Sequence, residues 1–227
     1  SNVAHADDNS VSTTGDVTFR EDTDPVNPVD PVNPDNPVIP VNPVTPTAGP
    51  LSIDYASSFH FGEQKISAKD ETYYAEFDKV QADEGATSDK PNWVQVTDKR
   101  GTNAGWKLQV QQGNQFTTSS DDSAQELRGA EIMINNAVAK TMSDNQAGVP
   151  TASSSITLIP GTGEQAGAVQ DVMEASQDQG MGTWVDSFGD ETTGNQSISL
   201  TVPGASAKVK DGAYSTELTW LLTDTAV

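Results

Sequence analysis

Apolar and polar residues alternate in Gly105-Trp106-Lys107-Leu108-Gln109-Val110 and again in Leu218-Thr219-Trp220-Leu221-Leu222-Thr223-Asp224. Successive side chains of an extended strand point to opposite faces, so the Trp and the Leu of each Trp-x-Leu triplet share one face. Both stretches are therefore predicted to be β-strands with an apolar side.

The same period-two alternation recurs in short segments from Leu51 onward, separated by clusters of Gly, Asn, Asp and Ser. This pattern is typical of an all-β domain. Helical periodicity is scarce: residues 163–177 form the best helical window, and residues 130–142 read as a strand leading into a short helical turn. We therefore expect a β-sandwich or barrel-like single domain with long loops. Further strands are predicted at residues 93–97, 131–134, 155–159, 183–188 and 198–202.

Proline recurs every third residue near the N-terminus, at Pro25, Pro28, Pro31, Pro34, Pro37, Pro40, Pro43 and Pro46. This period favours a polyproline II helix, an extended and semi-rigid spacer. Too few residues precede it for an independent fold. Residues 1–16 are interpreted as a polar tail left after signal cleavage, and residues 17–227 as one domain that includes a proline-rich excursion at 25–50. The alternative is that residues 1–50 are a disordered tail with a stiff middle.

The chain of 227 residues is strongly acidic, with 33 Asp and Glu against 12 Lys and Arg and a net charge of −21. Nucleic acid is an unlikely class of partner, because phosphate binding rests on clustered basic residues. Attachment to any anionic surface would be opposed by long-range charge, so it would need short-range contacts or bridging cations.

Export is suggested by Ala4-His5-Ala6, which is similar to the small-x-small end of a signal peptide. No apolar run approaches the roughly 20 residues that cross a bilayer, so membrane insertion by this chain is not expected. No wall-sorting pentapeptide follows the second Trp-x-Leu stretch, and any surface attachment is therefore expected to be non-covalent. The chain has no cysteine, which excludes disulfides and thiolate chemistry.

Nearly the whole chain resembles the WxL domain of Gram-positive surface proteins. The two Trp-x-Leu stretches resemble its signature segments, and the family's opening is similar to Gly49-Pro50-Leu51-Ser52-Ile53-Asp54-Tyr55 and Phe59-His60-Phe61-Gly62. The resemblance implies a secreted, non-catalytic module at the cell surface or cell wall, which attaches non-covalently to peptidoglycan and associates with WxL-interacting surface proteins. It also implies that a strand at Val17-Thr18-Phe19-Arg20 docks on the main sheet.

The motif residues Trp106, Leu108, Trp220 and Leu222 allow two interpretations. Core packing is favoured, because large aromatic residues in alternating strands usually face inward. A ligand role would instead need an exposed indole face. Candidate ligand-binding residues elsewhere are Trp93, Trp184, Asp186 and the adjacent pair Tyr73 and Tyr74, whose side chains should point to opposite faces of a strand.

An enzymatic function has little support in the sequence. His5 and His60 are the only histidines, no Gly-x-Ser-x-Gly elbow occurs, and doublets such as Asp121-Asp122 and Asp190-Glu191 are typical of solvated loops. No catalytic residue, metal site or cofactor is therefore assigned. Two alternatives remain: a host-facing adhesin that binds extracellular-matrix proteins, and, more remotely, a wall-degrading hydrolase with a carboxylate pair.

Overall fold

The structure, a computed structural model, describes residues 9–119 and 123–224. The only helical segment in these ranges is a 3₁₀ turn at Asp83–Gly85. The strands in the same ranges are β1 (Leu51–Ala56), β2 (Glu71–Tyr74), β3 (Asp78–Gln81), β4 (Thr87–Lys90), β5 (Trp93–Asp98), β6 (Trp106–Gln112), β7 (Glu131–Asn135), β8 (Ala137–Thr141), β9 (Thr151–Ala152), β10 (Ser155–Thr157), β11 (Gln170–Ala175), β12 (Gly182–Phe188), β13 (Ile198–Val202) and β14 (Leu218–Asp224).

The strands form three antiparallel sheets of four strands each and a separate hairpin, β3-β4. The strand orders are β1-β5-β12-β8, β10-β7-β13-β2 and β14-β6-β11-β9. The sheets do not close into a barrel, so the predicted all-β class is confirmed and the arrangement fits a sandwich rather than a barrel.

One apolar core is shared by all three four-stranded sheets. Apolar side chains alternate with polar ones on strands such as β6 and β13, and the apolar face turns inward. The sheets contribute, among others, Val94, Val96, Trp184, Phe188, Trp106, Leu108, Val110, Ile132, Ile134, Ile198 and Leu200.

A second, smaller apolar cluster lies on the outer face of the β1-β5-β12-β8 sheet. It joins Tyr55, Trp93 and Val185 of the sheet to Val80 of β3 and Val29 of the proline-rich segment. Every residue of β5 is buried as a result. The proline-rich segment therefore acts as a cover for this sheet.

The expectation of an extended polyproline spacer is wrong, because the segment reverses direction and packs on the domain. Val29 bridges to Pro37 in antiparallel fashion. The Asp30 carboxylate accepts hydrogen bonds from the backbone N–H of Val32 at 2.8 Å and of Asn33 at 3.4 Å, and the Asn36 N–H donates to the Asn33 carbonyl at 3.0 Å. The turn is thus made by the Asp and Asn residues between the prolines.

Gln95 of β5 holds the reversed segment against the sheet. Its Oε1 accepts a hydrogen bond from the Val29 N–H at 2.8 Å, and its Nε2 donates to the Asn27 carbonyl at 3.0 Å. An ion pair of 2.8 Å between Lys90 and Asp30 adds a second attachment. Backbone bonds to β3 add to these contacts, because the Val41 N–H donates to the Lys79 carbonyl at 3.0 Å and the Gln81 N–H donates to the Ile39 carbonyl at 2.8 Å.

The strand expected at residues 17–20 does not form. These residues pair with no strand in the described part of the chain, and Phe19 is 86% exposed. Residues 1–8, with the signal-like Ala4-His5-Ala6, and the doublet at 121–122 lie outside the described residues.

Neither helical expectation is correct. Residues 170–175, within the expected helical window, form β11, and residues 131–141 form β7 and β8 with a break at Asn136. No helix in the described residues has the length and apolar character needed to span a membrane.

Candidate functional site

The two Trp-x-Leu triplets lie on neighbouring strands. β14 pairs with β6 in antiparallel register, which places Leu222 opposite Leu108 and Trp220 opposite Val110. The triplets therefore form one patch on a single sheet, although they are more than a hundred residues apart in sequence.

The first triplet belongs to the core. Trp106 and Leu108 are fully buried, and the Trp106 Nε1–H donates to the Gly180 carbonyl at 3.0 Å. Gly180 has a φ of +76°, and a Cβ on it would lie 2.6 Å from the Trp106 Nε1. Only glycine therefore leaves room for the indole at this point.

The second triplet is half-buried, because β14 is an edge strand. The Trp220 ring stacks on Phe188, with ring centroids 6.4 Å apart and planes at 19°, and meets the edge of Phe59 at 6.5 Å. Stacked and edge-to-face pairs of this kind hold an aromatic ring in one orientation. Trp220 is thus fixed on one side and accessible on the other.

A cleft of about 1310 Å³ opens beside Trp220. One wall is the start of β14 with the loop before it, and another is the segment that follows β1. Five half-buried or nearly buried aromatic rings besides Trp220 line it: Phe59, Phe61, Tyr73, Phe116 and Tyr214. A concave surface with aromatic walls is typical of a binding site.

The charged side chains at the cleft include both cations and anions. Lys65 and Lys208 lie on its lining together with Glu63, Asp211 and Glu217. The exposed His60 lies between Phe59 and Phe61, as the alternation predicts. Burial, with the nearby Glu71, raises the pKa of the Tyr73 hydroxyl, which therefore stays protonated as a hydrogen-bond donor at neutral pH.

Three of the candidate ligand-binding residues lie in the interior instead of at the surface. Trp93 packs on Tyr55 with ring centroids 4.4 Å apart, and the Trp184 Nε1–H donates to the Met181 carbonyl at 2.8 Å. Asp186 is completely buried on β12. These side chains have no face that a ligand could contact in this structure.

The tyrosine pair is divided as the alternation predicts. Tyr73 points into the cleft, whereas Tyr74 points to the opposite face of β2 and is 47% exposed. Tyr74 borders a smaller cavity of about 450 Å³ with Phe77 and Lys79. Tyr73 is therefore the one member of the candidate ligand-binding set that the structure brings to the aromatic cleft.

Four cleft aromatics were not among the candidates from sequence: Phe59, Phe61, Phe116 and Tyr214. Of these four residues, only Phe59 and Phe61 lie in a sequence stretch that had been singled out, because that stretch resembles the family's opening. They meet Trp220 and Phe116 through contacts between distant parts of the chain, which a local pattern does not reveal.

The described residues bring together no group of three His, Asp or Glu side chains that could hold a metal ion. The Asp190 carboxylate instead accepts hydrogen bonds from the backbone N–H groups of Thr192 and Thr193, and these bonds hold its pKa well below the usual range. The Asp190-Glu191 doublet is thus a loop-forming element.

A family model described as "WxL domain surface cell wall-binding" matches residues 6–226. The chain belongs to the WxL family. The protein is accordingly a cell-surface domain of the cell-wall-binding class, and both of its paired Trp-x-Leu strands lie within the matched residues. No curated protein and no solved structure matched the chain.

Proposed function

We propose that this WxL domain attaches non-covalently to peptidoglycan and that the aromatic cleft beside Trp220 is the contact surface. The proposal is carried by the set of accessible aromatic rings around Trp220, Tyr73 and Tyr214. Sugar rings present apolar C–H faces that stack on aromatic side chains, while their hydroxyl groups need polar partners at the rim. The cleft offers both kinds of group.

The charges at the cleft suit the chemistry of the wall. Peptidoglycan stem peptides carry both carboxylates and amines, and the cleft lining includes Lys65, Lys208, Glu63 and Glu217. Such mixed polar groups give orientation, whereas the aromatic rings supply the apolar contact area. Binding requires no reaction, so the proposed role is non-catalytic.

A fluorescence titration with soluble peptidoglycan fragments tests the cleft directly. The chain has four tryptophans, of which Trp93, Trp106 and Trp184 are buried. Fragment binding in the cleft should therefore change the emission of Trp220, with saturation, and the change should be absent in Trp220→Phe.

A matched pair of tyrosine variants separates the cleft from the rest of the surface. Tyr214→Ala removes a cleft ring and should weaken fragment binding, whereas Tyr74→Ala removes an exposed ring outside the cleft and should leave it unchanged. Equal binding by both variants, or no emission change at any fragment concentration, would contradict the proposal. Binding to extracellular-matrix proteins with no binding to fragments would favour the adhesin alternative.

We also propose that the domain associates with WxL-interacting surface proteins, an expectation that rests on family membership. Tagged protein retained on a column should capture such a partner from a detergent extract of the producing cell's surface, and mass spectrometry would identify it. Recovery of wall fragments without any surface protein would argue against this association.

A further inference from the structure

Four carboxyl side chains are buried in the described part of the chain, and one of them differs from the others. Three have ion pairs or hydrogen bonds: Asp30 with Lys90, Asp98 with Arg100, and Asp54 with Ser52, Gln95 and Thr97. Neither carboxyl oxygen of the fourth, Asp186, has a partner. A buried carboxyl group without partners is tolerated far better in its neutral form than in its ionised form.

Asp186 lies next to the aromatic wall of the cleft. Asp186 is opposite Val94 on β5, and Val94 is opposite Ala56 on β1, which lines the cleft. Phe188, two residues along β12, lies on the same face of the strand as Asp186. The Phe188 ring stacks on Trp220 with ring centroids 6.4 Å apart. The carboxyl group is therefore a same-face neighbour of the ring that holds Trp220.

The rings of Phe59, Phe188 and Trp220 form one packed unit. Phe59 meets Phe188 edge-on at 6.3 Å and Trp220 edge-on at 6.5 Å. Trp220 lies on β14, an edge strand that pairs only with β6 among the described strands. Close-packed interiors transmit local displacements from one side chain to the next. A change in the position of Phe188 is therefore passed on to Trp220 and to the cleft.

The surroundings of Asp186 are apolar on the elements packed against it. Its neighbours on β5 and β8 are Val94 and Ala139, and the other two sheets contribute apolar side chains to the same core. The ion pair of Asp98 with Arg100 lies at the far end of β5. Burial is accordingly the one cause that raises the pKa of Asp186, and neither a charge nor a hydrogen bond lowers it.

We propose that Asp186 is a proton switch for the aromatic cleft, which binds wall fragments only while this carboxyl group is neutral. The inference rests on the function proposed above for the cleft. Ionisation places a negative charge in an apolar core, and the charge is then solvated only if water enters or β12 moves outward. Either change disrupts the packing of Phe188 on Trp220.

The sign of the pH dependence follows from the burial of Asp186. The intact cleft keeps the Asp186 proton, whereas a loosened wall admits water and lets the carboxyl group ionise at a lower pH. Fragment binding selects the intact cleft, so the affinity is highest in acid and falls as pH rises through the raised pKa of the folded state. One coupled proton limits this fall to about tenfold per pH unit.

Fragment titrations from about pH 5 to about pH 9, at constant ionic strength, test the switch. We expect the affinity of the wild type to fall at least several-fold over this range. The affinity of Asp186→Asn, whose amide carries no charge, should stay constant. Glu174→Gln is the matched control, because it neutralises an exposed carboxylate of β11 that is not part of the cleft lining. This control should follow the pH profile of the wild type.

His60 is a competing source of pH dependence. It also lines the cleft, and histidine is the side chain that usually changes its charge near neutral pH. His60→Gln should nevertheless retain the pH profile of the wild type. Loss of the pH dependence in His60→Gln, its persistence in Asp186→Asn, or a wild-type affinity that does not change with pH would overturn the proposal.

Acrylamide quenching of the tryptophan emission, measured without any ligand, separates the switch from the peptidoglycan proposal. In the free wild type, quenching should increase with pH as the wall loosens around Trp220, and in Asp186→Asn it should not. Absence of fragment binding at every pH would contradict the peptidoglycan proposal. Quenching of the free wild type that does not change with pH would overturn the switch.

Discussion

Asp186 is a carboxyl group enclosed in the middle of the core sheet. It lies on β12 between Trp184 and Phe188 on the same face, and neither carboxyl oxygen has a hydrogen-bond partner. Burial alone raises its pKa well above the ordinary value. The folded protein therefore keeps the Asp186 proton up to a higher pH than the unfolded chain does.

The sign of the resulting pH dependence follows from linkage. A raised folded-state pKa means that the contribution of Asp186 to stability is most favourable below the unfolded pKa of about 3.9 and declines as pH rises toward the folded pKa. We predict that Asp186→Asn, which carries no charge, is more stable than the wild type at neutral pH by at least about 1 kcal/mol. Urea unfolding at several pH values measures the difference.

Comparison of the wild type with Asp186→Asn isolates the titration of Asp186. Asp22, Asp35 and Asp190 have lowered pKa values and contribute stability that is lost as pH falls, but they are present in both proteins. The stability difference should shrink on acidification. A difference that is constant from acid to neutral pH would show that Asp186 does not titrate abnormally.

The two motif tryptophans should respond differently to truncation. Trp106→Ala empties a fully buried site and should cost about 3–5 kcal/mol in the free energy of unfolding. Trp220→Ala removes a half-buried ring at the sheet edge and should cost about 1–2 kcal/mol. Chemical denaturation of both variants measures this, and equal losses would contradict the assignment of one Trp to the core and the other to the cleft.

At the scale of elements, the proline-rich segment is held on the domain by the Gln95 side chain, by the ion pair between Lys90 and Asp30 and by backbone bonds to β3. Gln95→Leu keeps the volume but leaves the Val29 N–H and the Asn27 carbonyl without partners, which should cost about 1–3 kcal/mol. Hydrogen exchange should accelerate at Val29 and remain slow on β6. Gln81→Leu, a change at an exposed glutamine of β3, serves as the control.

If exchange at Val29 is unchanged in Gln95→Leu, the other contacts of the segment are sufficient to hold it. The ion pair between Lys90 and Asp30 is mostly buried, and its removal would then be the next variant. Loss of protection throughout the protein would instead mean that the segment folds as one unit with the core.

Alternation of apolar and polar residues predicted several of the strands. The segments expected at 93–97, 131–134, 183–188 and 198–202 all form strands at or within one residue of their expected ends. β11 was not predicted, because it contains a β-bulge. The register shifts between Asp171 and Met173, so Val172 and Met173 are both buried and the period of two is broken.

The three-residue period of proline led to the wrong prediction of an extended spacer, and the reason is physical. Proline fixes φ, but the intervening residues set the direction of the chain. Asp30, Asn33 and Asn36 form a turn with their own backbone, and the anchor at Gln95 lies 66 residues from Val29 in sequence. A local pattern contains neither the anchor nor the sheet that the segment covers.

At the scale of the whole molecule, the sequence predicted an all-β domain and the family but not the cleft. The cleft depends on the pairing of β14 with β6 and on the packing of Phe59 against Trp220. Both contacts join segments more than a hundred residues apart. The motif tryptophans gave no signal from which their different exposure could be read.

The net charge of −21 predicts an unusual salt dependence of wall binding. An anionic protein and an anionic wall repel each other over about 30 Å at 0.01 M salt but over only about 8 Å at 0.15 M. Binding to sacculi should therefore strengthen with ionic strength if short-range contacts provide the affinity. Weakening of binding by added salt would show that ion pairs dominate the contact.

The most direct measurement of the central claim is co-sedimentation of the full chain with purified, teichoic-acid-free peptidoglycan sacculi, with and without a chelator. We predict saturable binding by the wild type, weakened binding by Trp220→Ala at a temperature where that variant is folded, and reversal by denaturant, as expected for a non-covalent contact. Binding that does not saturate, or equal binding by Trp220→Ala, would contradict the assignment of the aromatic cleft as the wall-binding site.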